Sequence, residues 1–294
     1  MKDLRLIALY LYVCERYDKE LKYECMRFSN NRHPEFSDEE ALTIYLYAVS
    51  EEEKRQIKQI YRYADRYLRS YFPKLPSYQA FNHRLNCLST LMQRLLAGVL
   101  KEALPADSSP SETLVDSLPI ITCLAKRKAK VAGEVTAKGY CSTKDLYYYG
   151  VKLHVAGARR EGALPWPRSI VLSPAAENDL SVVKENISSM SSETVYGDKI
   201  YHDKSYFAAK GVEMLTPVKG VKGKAEVLKQ RDKAAEDLFS RAVSAVRQPI
   251  EALFSWLLEK VAIQTASKVR STKGLLLHIF GKLTAAFIGF IPNP

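Results

Sequence analysis

Along the first hundred residues apolar positions recur every three or four, the period of helices with one buried face. Ser37-Asp38-Glu39-Glu40 has the form of a capping box ahead of Ala41–Leu46. Ser50 with Glu51, Glu52 and Glu53 predicts a second helix whose first-turn acids suit the dipole, running to about Tyr71 and stopping before Pro73. A third is predicted from Ser77, after Pro76, through Leu96. This succession reads as a helix-turn-helix-like region over residues 1–105.

Residues 106–111 are short, polar and end in Pro110-Ser111, a linker. After them the period shortens to two. Strands are expected near 113–122, 146–157, 168–173, 193–198 and 213–217, with a helix near 178–188. A long helix near 234–261, kinked or restarted at Pro249, and a last one at 273–290 complete the pattern. Strands followed by alternating helices and strands describe an α/β domain over 112–294 built on a mixed sheet with flanking helices.

Two of the strands carry an acid where the pattern calls for apolar residues. They are Thr113-Leu114-Val115-Asp116-Ser117-Leu118 and Glu193-Thr194-Val195-Tyr196-Gly197-Asp198. An unpaired carboxylate there costs several kcal/mol to desolvate, so a cationic partner is missing. Asp198 follows Gly197, which leaves room for a ligand to approach. Asp203 competes with it but reads as the N-cap of Lys204–Phe207. A third acid is sought on the helix whose core side is Val243, Val246, Ile250, Phe254 and Leu257; Glu251 has Arg247 four residues before it, and Glu236 and Glu259 are rivals that spacing does not separate. Three carboxylates gathered without metal repel by roughly 3 kcal/mol per pair at about 5 Å and an effective dielectric of about 20. They suit two Mg²⁺ ions, with Mn²⁺ as an alternative, performing phosphodiester chemistry.

Charge supports a polyanionic partner. The chain of 294 residues carries 44 Lys and Arg against 33 Asp and Glu, a net +11. Residues 1–110 hold 17 basic and 15 acidic residues, so most of the excess lies beyond them, with the stranded acids. It concentrates in two loops, 125–143 and 219–233. In the N-terminal region Arg55, Lys58, Arg62, Arg66 and Arg69 recur at helical spacing with tyrosines between them, a face suited to phosphate contact. The segment Tyr78, Gln79, Asn82, His83, Arg84 and Asn86 is rich in groups that read base edges. Five widely spaced cysteines without a CxxC pair suggest reduced, structural thiols in a cytoplasmic protein. The apolar Leu6–Val13 stretch, with Asp3 ahead of it, does not read as a signal peptide. The run from Gly274 to Ile291 contains His278 and Lys282 and is expected as a buried helix, not a membrane span.

The segments Asp116-Ser117-Leu118-Pro119, Tyr148-Tyr149-Gly150-Val151-Lys152-Leu153-His154, Ser173-Pro174…Glu177-Asn178-Asp179 and Tyr196-Gly197-Asp198-Lys199-Ile200-Tyr201 resemble the DDE transposases of bacterial insertion sequences. The likeness covers about residues 112–290. It implies an RNase H-like domain in which Asp116, Asp198 and Glu251 bind two Mg²⁺ ions. Glu251 is selected because the family carries a Tyr-x2-Arg-x3-Glu-x6-Lys pattern and Arg247 stands at its Arg; Ser244 and Leu258 depart from the Tyr and Lys, with Lys260 two residues beyond. It further implies cleavage at terminal inverted repeats of double-stranded DNA, strand transfer into target DNA, and a homodimer pairing two ends. DNA contacts are expected from Lys126, Arg127 and Lys128 in the first loop, Lys222 and Lys224 in the second, Lys199 and Arg247 beside the acids, and Arg62, Arg66 and Arg69. A nuclease with the same acids but no strand transfer, and a silent DNA-binding descendant, are the alternatives.

Overall fold

The computed structural model describes residues 2–25, 34–108, 111–126, 131–141, 144–186, 193–218 and 226–291, and the side chains of these except 2–3 and 226–231. The chain divides into two compact units. The first comprises Met1–Ala103, Lys128–Glu134 and Leu257–Pro294; the second comprises Leu104–Arg127 and Val135–Trp256.

The first unit is helical: α1 (Lys2–Arg16), continued by a π turn and α2 (Lys22–Cys25), then α3 (Asp38–Ser50), α4 (Ile57–Tyr67), α5 (Tyr78–Cys87) and α6 (Ser89–Glu102). The capping box forms as expected, Glu40 N–H donating to Ser37 Oγ at 3.2 Å and Ser37 N–H to Glu40 Oε2 at 2.7 Å. The acids Glu51–Glu53 do not start a helix. They follow the end of α3, where Glu53 takes a left-handed φ of 51° and Lys54 N–H donates to Ala48 O at 2.8 Å. The next helix starts at Ile57, where the Gln59 side chain accepts the Gln56 N–H at 3.2 Å. An acidic run fits the first turn of one helix and the turn leaving another equally well, so composition misplaced this boundary. Similarly, the helix expected to continue from Ser77 through Leu96 breaks at Leu88 into α5 and α6.

The terminal helical run, α10 (Thr272–Leu276), a π turn and α11 (Lys282–Phe287), lies in this first unit. The Tyr45 hydroxyl donates to Leu277 O at 3.4 Å, and the Thr284 hydroxyl to Met92 O at 3.2 Å. Lys282, buried, donates to Ala262 O at 3.0 Å. Thr272–Phe290 is long and apolar enough to cross a membrane, yet 67% of its apolar window is buried inside the protein, as the charged and polar positions predicted.

The second unit is a mixed sheet with helices. Its strands are β1 (Glu112–Leu124), β2 (Ala137–Cys141), β3 (Leu146–Ala158), β4 (Trp166–Pro174), β5 (Thr194–Tyr196) and β6 (Glu213–Leu215). The order is β2-β3-β1-β5-β6, with β4 pairing the later half of β3. β1 runs antiparallel to β3 and parallel to β5, and β5 is parallel to β6. This is the RNase H-like mixed sheet expected. Strand β2 was unforeseen, lying within the first basic loop, where lysines masked a short pairing segment. Pro119 is tolerated inside β1 because β5 pairs it only as far as Leu114, so no ladder bond is lost on that edge. Gly150 permits the close approach of β3 to β1, since a Cβ there would stand 1.9 Å from Ile120 O.

Helices α7 (Asp179–Asn186) and α8 (Lys204–Ala209) complete the second unit together with most of α9 (Glu226–Val261). One core joins Val115, Ala156, Val183, Val195, Tyr201, Phe207 and Met214 from sheet and helices. α9 is continuous through Pro249, not restarted there. Its Val243, Ile250, Leu253 and Phe254 are buried, close to the predicted core side.

Candidate functional site

Asp116 stands in the middle of β1, opposite Val155 of β3. On the other edge Leu114 lies beside Tyr196 in parallel register. Asp116 follows two residues farther along β1, and Asp198 two residues past Tyr196, the last residue of β5. Asp198 then opens a 3₁₀ turn, Lys199–Tyr201, accepting the Lys199 N–H at 2.7 Å. Its side chain is exposed. Gly197 does not clear a path for a ligand, as its position had suggested. A Cβ there would meet the Tyr201 ring at 2.8 Å and Val115 Cγ2 at 3.1 Å, so the missing side chain lets the turn fold back on the core.

Arg247 of α9 joins the first and third acids. Its Nη1 donates to Asp116 Oδ2 at 3.0 Å, and its Nη2 to Glu251. The Arg247 side chain is 15% exposed while that of Glu251 is 54% exposed, so the guanidinium bridges the covered acid and the open one. Burial pushes the Asp116 carboxyl from 3.8 up to about 6. Arg247 and the Ser117 N–H pull it back, and the charges of Asp198 and Glu251 add smaller upward pushes. Both acids are therefore near enough to Asp116 to be felt electrostatically. The rivals have other positions. Asp203 caps α8, accepting from Tyr206 N–H at 3.2 Å and from Lys184 Nζ at 2.6 Å. Glu259 lies in the part of α9 that belongs to the first unit, its carbonyl accepting from Arg55 at 3.0 Å.

Residues 107–288 match the family model of the transposase DDE domain. The chain belongs to the DDE transposase family. No curated protein and no solved structure matches it significantly. The family implies a metal-dependent enzyme that cleaves and transfers DNA.

In this transposase, no three His, Cys, Asp or Glu side chains among the described residues are gathered as a ready-made metal cage. The donor chemistry nevertheless fits a divalent ion. All three acids offer hard carboxylate oxygens, and two of them already share a cation, the Arg247 guanidinium. Arg247, expected at DNA, is thus engaged with the acids.

Beneath Asp116, on the opposite face of the pleat, lies a buried polar cluster that the sequence reading did not assign. The Ser117 hydroxyl donates to Asp179 Oδ2 at 2.8 Å. Lys152 Nζ donates to Asp179 Oδ1 at 2.6 Å and to Glu177 O at 2.7 Å. Beside them His154 Nε2 meets Ser173 Oγ at 2.8 Å. Burial, helped by Lys152 and opposed by Asp179, pushes the imidazole down to about 4, so it is neutral at physiological pH. Every member falls in one of the segments that carry the family resemblance. The available signal was a set of polar residues at alternate positions of strands otherwise apolar, which pairing between distant strands alone makes meaningful.

The other expected DNA contacts fall in three groups. Arg127, Lys128, Lys222 and Lys224 lie outside the described residues. Lys126 and Lys199 are exposed. On α4, in the first unit, Ile60 and Ala64 face inward while Arg62 and Arg66 are exposed. Arg69, just past α4, is held by Asp65 at 2.6 Å. Tyr61 belongs to the interior and not to that surface: its hydroxyl donates to Pro76 O at 2.9 Å and its ring packs on Tyr78 and Phe81.

Proposed function

We infer that this DDE transposase is the enzyme of an insertion sequence, cutting at terminal inverted repeats to leave a 3′-hydroxyl and joining that end to target DNA. Asp116, Asp198 and Glu251 are its catalytic acids and hold two Mg²⁺ ions, which Mn²⁺ can replace. Bound there, the ions supply activation of the attacking oxygen and charge stabilisation of the leaving one at a phosphodiester. What supports this reading is that β1 and β5 run parallel, in register up to two residues before Asp116 and Asp198, and that Arg247 links Asp116 to Glu251.

The protein's own part is placement. A central strand, the end of its neighbour and one helix are rigid supports for three carboxylates. Arg247 neutralises two of them until they are needed. Lys126, Lys199 and the lysines and arginine of the two basic loops hold the DNA backbone near the acids. Arg62, Arg66 and Arg69 of the N-terminal region contact phosphates of the terminal repeat. Pairing two ends calls for a homodimer on DNA.

The test uses a labelled duplex carrying the sequence that flanks the gene, with Mg²⁺ and a supercoiled target. Cleavage at the repeat boundary and covalent joining of the 3′ end to target is the expected result, lost on Asp116→Asn. Cleavage without joining would support a nuclease instead. Neither activity, with retained repeat binding, would support a silent DNA-binding descendant.

A further inference from the structure

The buried cluster under β1 carries a charge pair where the fold needs none. The Lys152 and Asp179 side chains are 16% and 13% exposed. Apolar residues of similar volume would fill such a place at no loss of stability, because burying two ions costs about as much as their attraction returns. What the pair does achieve is to fix one hydroxyl. Asp179 accepts from Lys152 on Oδ1 and from Ser117 on Oδ2, so its two oxygens have separate donors. Lys152 is anchored in turn by the Glu177 carbonyl, in the turn ahead of α7. Ser117 is the residue after Asp116, and its N–H donates to Asp116 Oδ1 at 2.8 Å.

We propose that Ser117, clamped by the Asp179–Lys152 pair, is a positioning residue for the Asp116 carboxylate, fixing the strand so that Asp116 presents one oxygen to its metal while the other stays on the Ser117 amide. This rests on the reading of Asp116 as a metal ligand. The pleat makes the arrangement work. Ser117 points to the α7 side and Asp116 to the α9 side, so a hydroxyl held on one face sets the backbone that aims the acid on the other. The buried Tyr201 hydroxyl stands beside Ser117 of the same strand; burial, with the nearby carboxylates of Asp116, Asp179 and Asp198, holds it well above the ordinary phenol range, and the Ser117 hydroxyl opposes them. It therefore stays protonated, and brings no further negative charge to the site.

Groups that orient metal-binding side chains typically change affinity by about 10–100-fold when removed. The full-length protein bound to its terminal duplex is titrated with Mn²⁺, free ion being followed by electron paramagnetic resonance. Ser117→Ala is expected to weaken Mn²⁺ binding about 10-fold or more at nearly unchanged melting temperature, and Ser117→Thr, which keeps the hydroxyl, to restore it to within about threefold. Replacing the pair together, Asp179→Leu with Lys152→Met, leaves no stranded charge. It should weaken binding to the same degree, and adding Ser117→Ala should cost nothing more. Unchanged Mn²⁺ affinity in Ser117→Ala, with affinity lost in Asp116→Asn, overturns the positioning role alone. A fall in melting temperature without a fall in affinity also overturns it, because the cluster is then merely structural. Unchanged affinity in Asp116→Asn overturns the ligand reading and the inference with it.

Discussion

Asp116→Asn should make the metal-free protein more stable, not less, and only above a defined pH. In the folded chain the Asp116 carboxyl is raised from 3.8 to about 6, mainly by burial. A carboxylate whose folded pKa is raised favours the folded state only when protonated. Its cost is absent below about pH 4, grows as pH rises between the unfolded and folded values, and is complete above about 6. The separation of roughly two units corresponds to about 3 kcal/mol at pH 7–8. The amide mimics the protonated acid, so the substitution recovers up to that amount. The gain is bounded from above because Arg247 is left with one carboxylate partner, Glu251. At roughly 2–4 °C per kcal/mol for a protein of a few hundred residues, the melting temperature should rise by several degrees. The assay is differential scanning calorimetry in EDTA at several pH values. The variant should melt above the parent at pH 8, with the difference vanishing near pH 4. Adding Mg²⁺ to the DNA complex should stabilise the parent further and the variant little. Equal melting at pH 8, or a gain independent of pH, would refute the assignment of Asp116 as a buried acid awaiting a cation.

Glu251→Gln should reduce end cleavage by orders of magnitude while Glu236→Gln and Glu259→Gln leave it within a few-fold; a dead Glu259→Gln beside an active Glu251→Gln would move the third acid two turns along the helix. Arg62→Ala and Arg66→Ala should each lower the slope of log K against log salt for the terminal duplex by about 0.9. Arg69→Ala should lower it less, because Asp65 already pairs with that side chain. Equal slopes in all three would return this face to an ordinary solvated surface. Burial drives Lys282 down to about 7 from 10.5, so the protonated form disfavours folding and the cost grows as pH falls from about 10 to 7. Lys282→Met should therefore raise the melting temperature at pH 7 and have little effect at pH 10, and the opposite trend would contradict the burial argument.

The strands of the catalytic sheet were legible because their period was clean and their flanks carried turn residues; β1, β3, β4 and α7 lie within a few residues of the boundaries expected. The stranded acids were legible for the same reason, since a carboxylate in an apolar strand is conspicuous. Three features resisted. The acids at 51–53 fit two helix positions equally. The Thr272–Phe287 helices join the first unit through Tyr45 and Thr284, contacts between residues some two hundred apart that no local pattern encodes. The role of Gly197 followed from the Tyr201 ring folding back upon it, a tertiary fact. Likewise Lys152, Asp179 and Ser117 acquire meaning together only once β1, β3 and α7 are assembled.

The central claim is that Asp116, Asp198 and Glu251 together hold the divalent ions that cut DNA. Anomalous diffraction at the manganese edge, from crystals of the protein bound to its terminal duplex, tests it most directly. Manganese peaks are predicted within direct coordination distance of carboxylate oxygens of Asp116 and Asp198, with Glu251 released from Arg247 and completing one site. Cleaved duplex in the crystal with manganese bound elsewhere, and Arg247 still bridging Asp116 and Glu251, would contradict it.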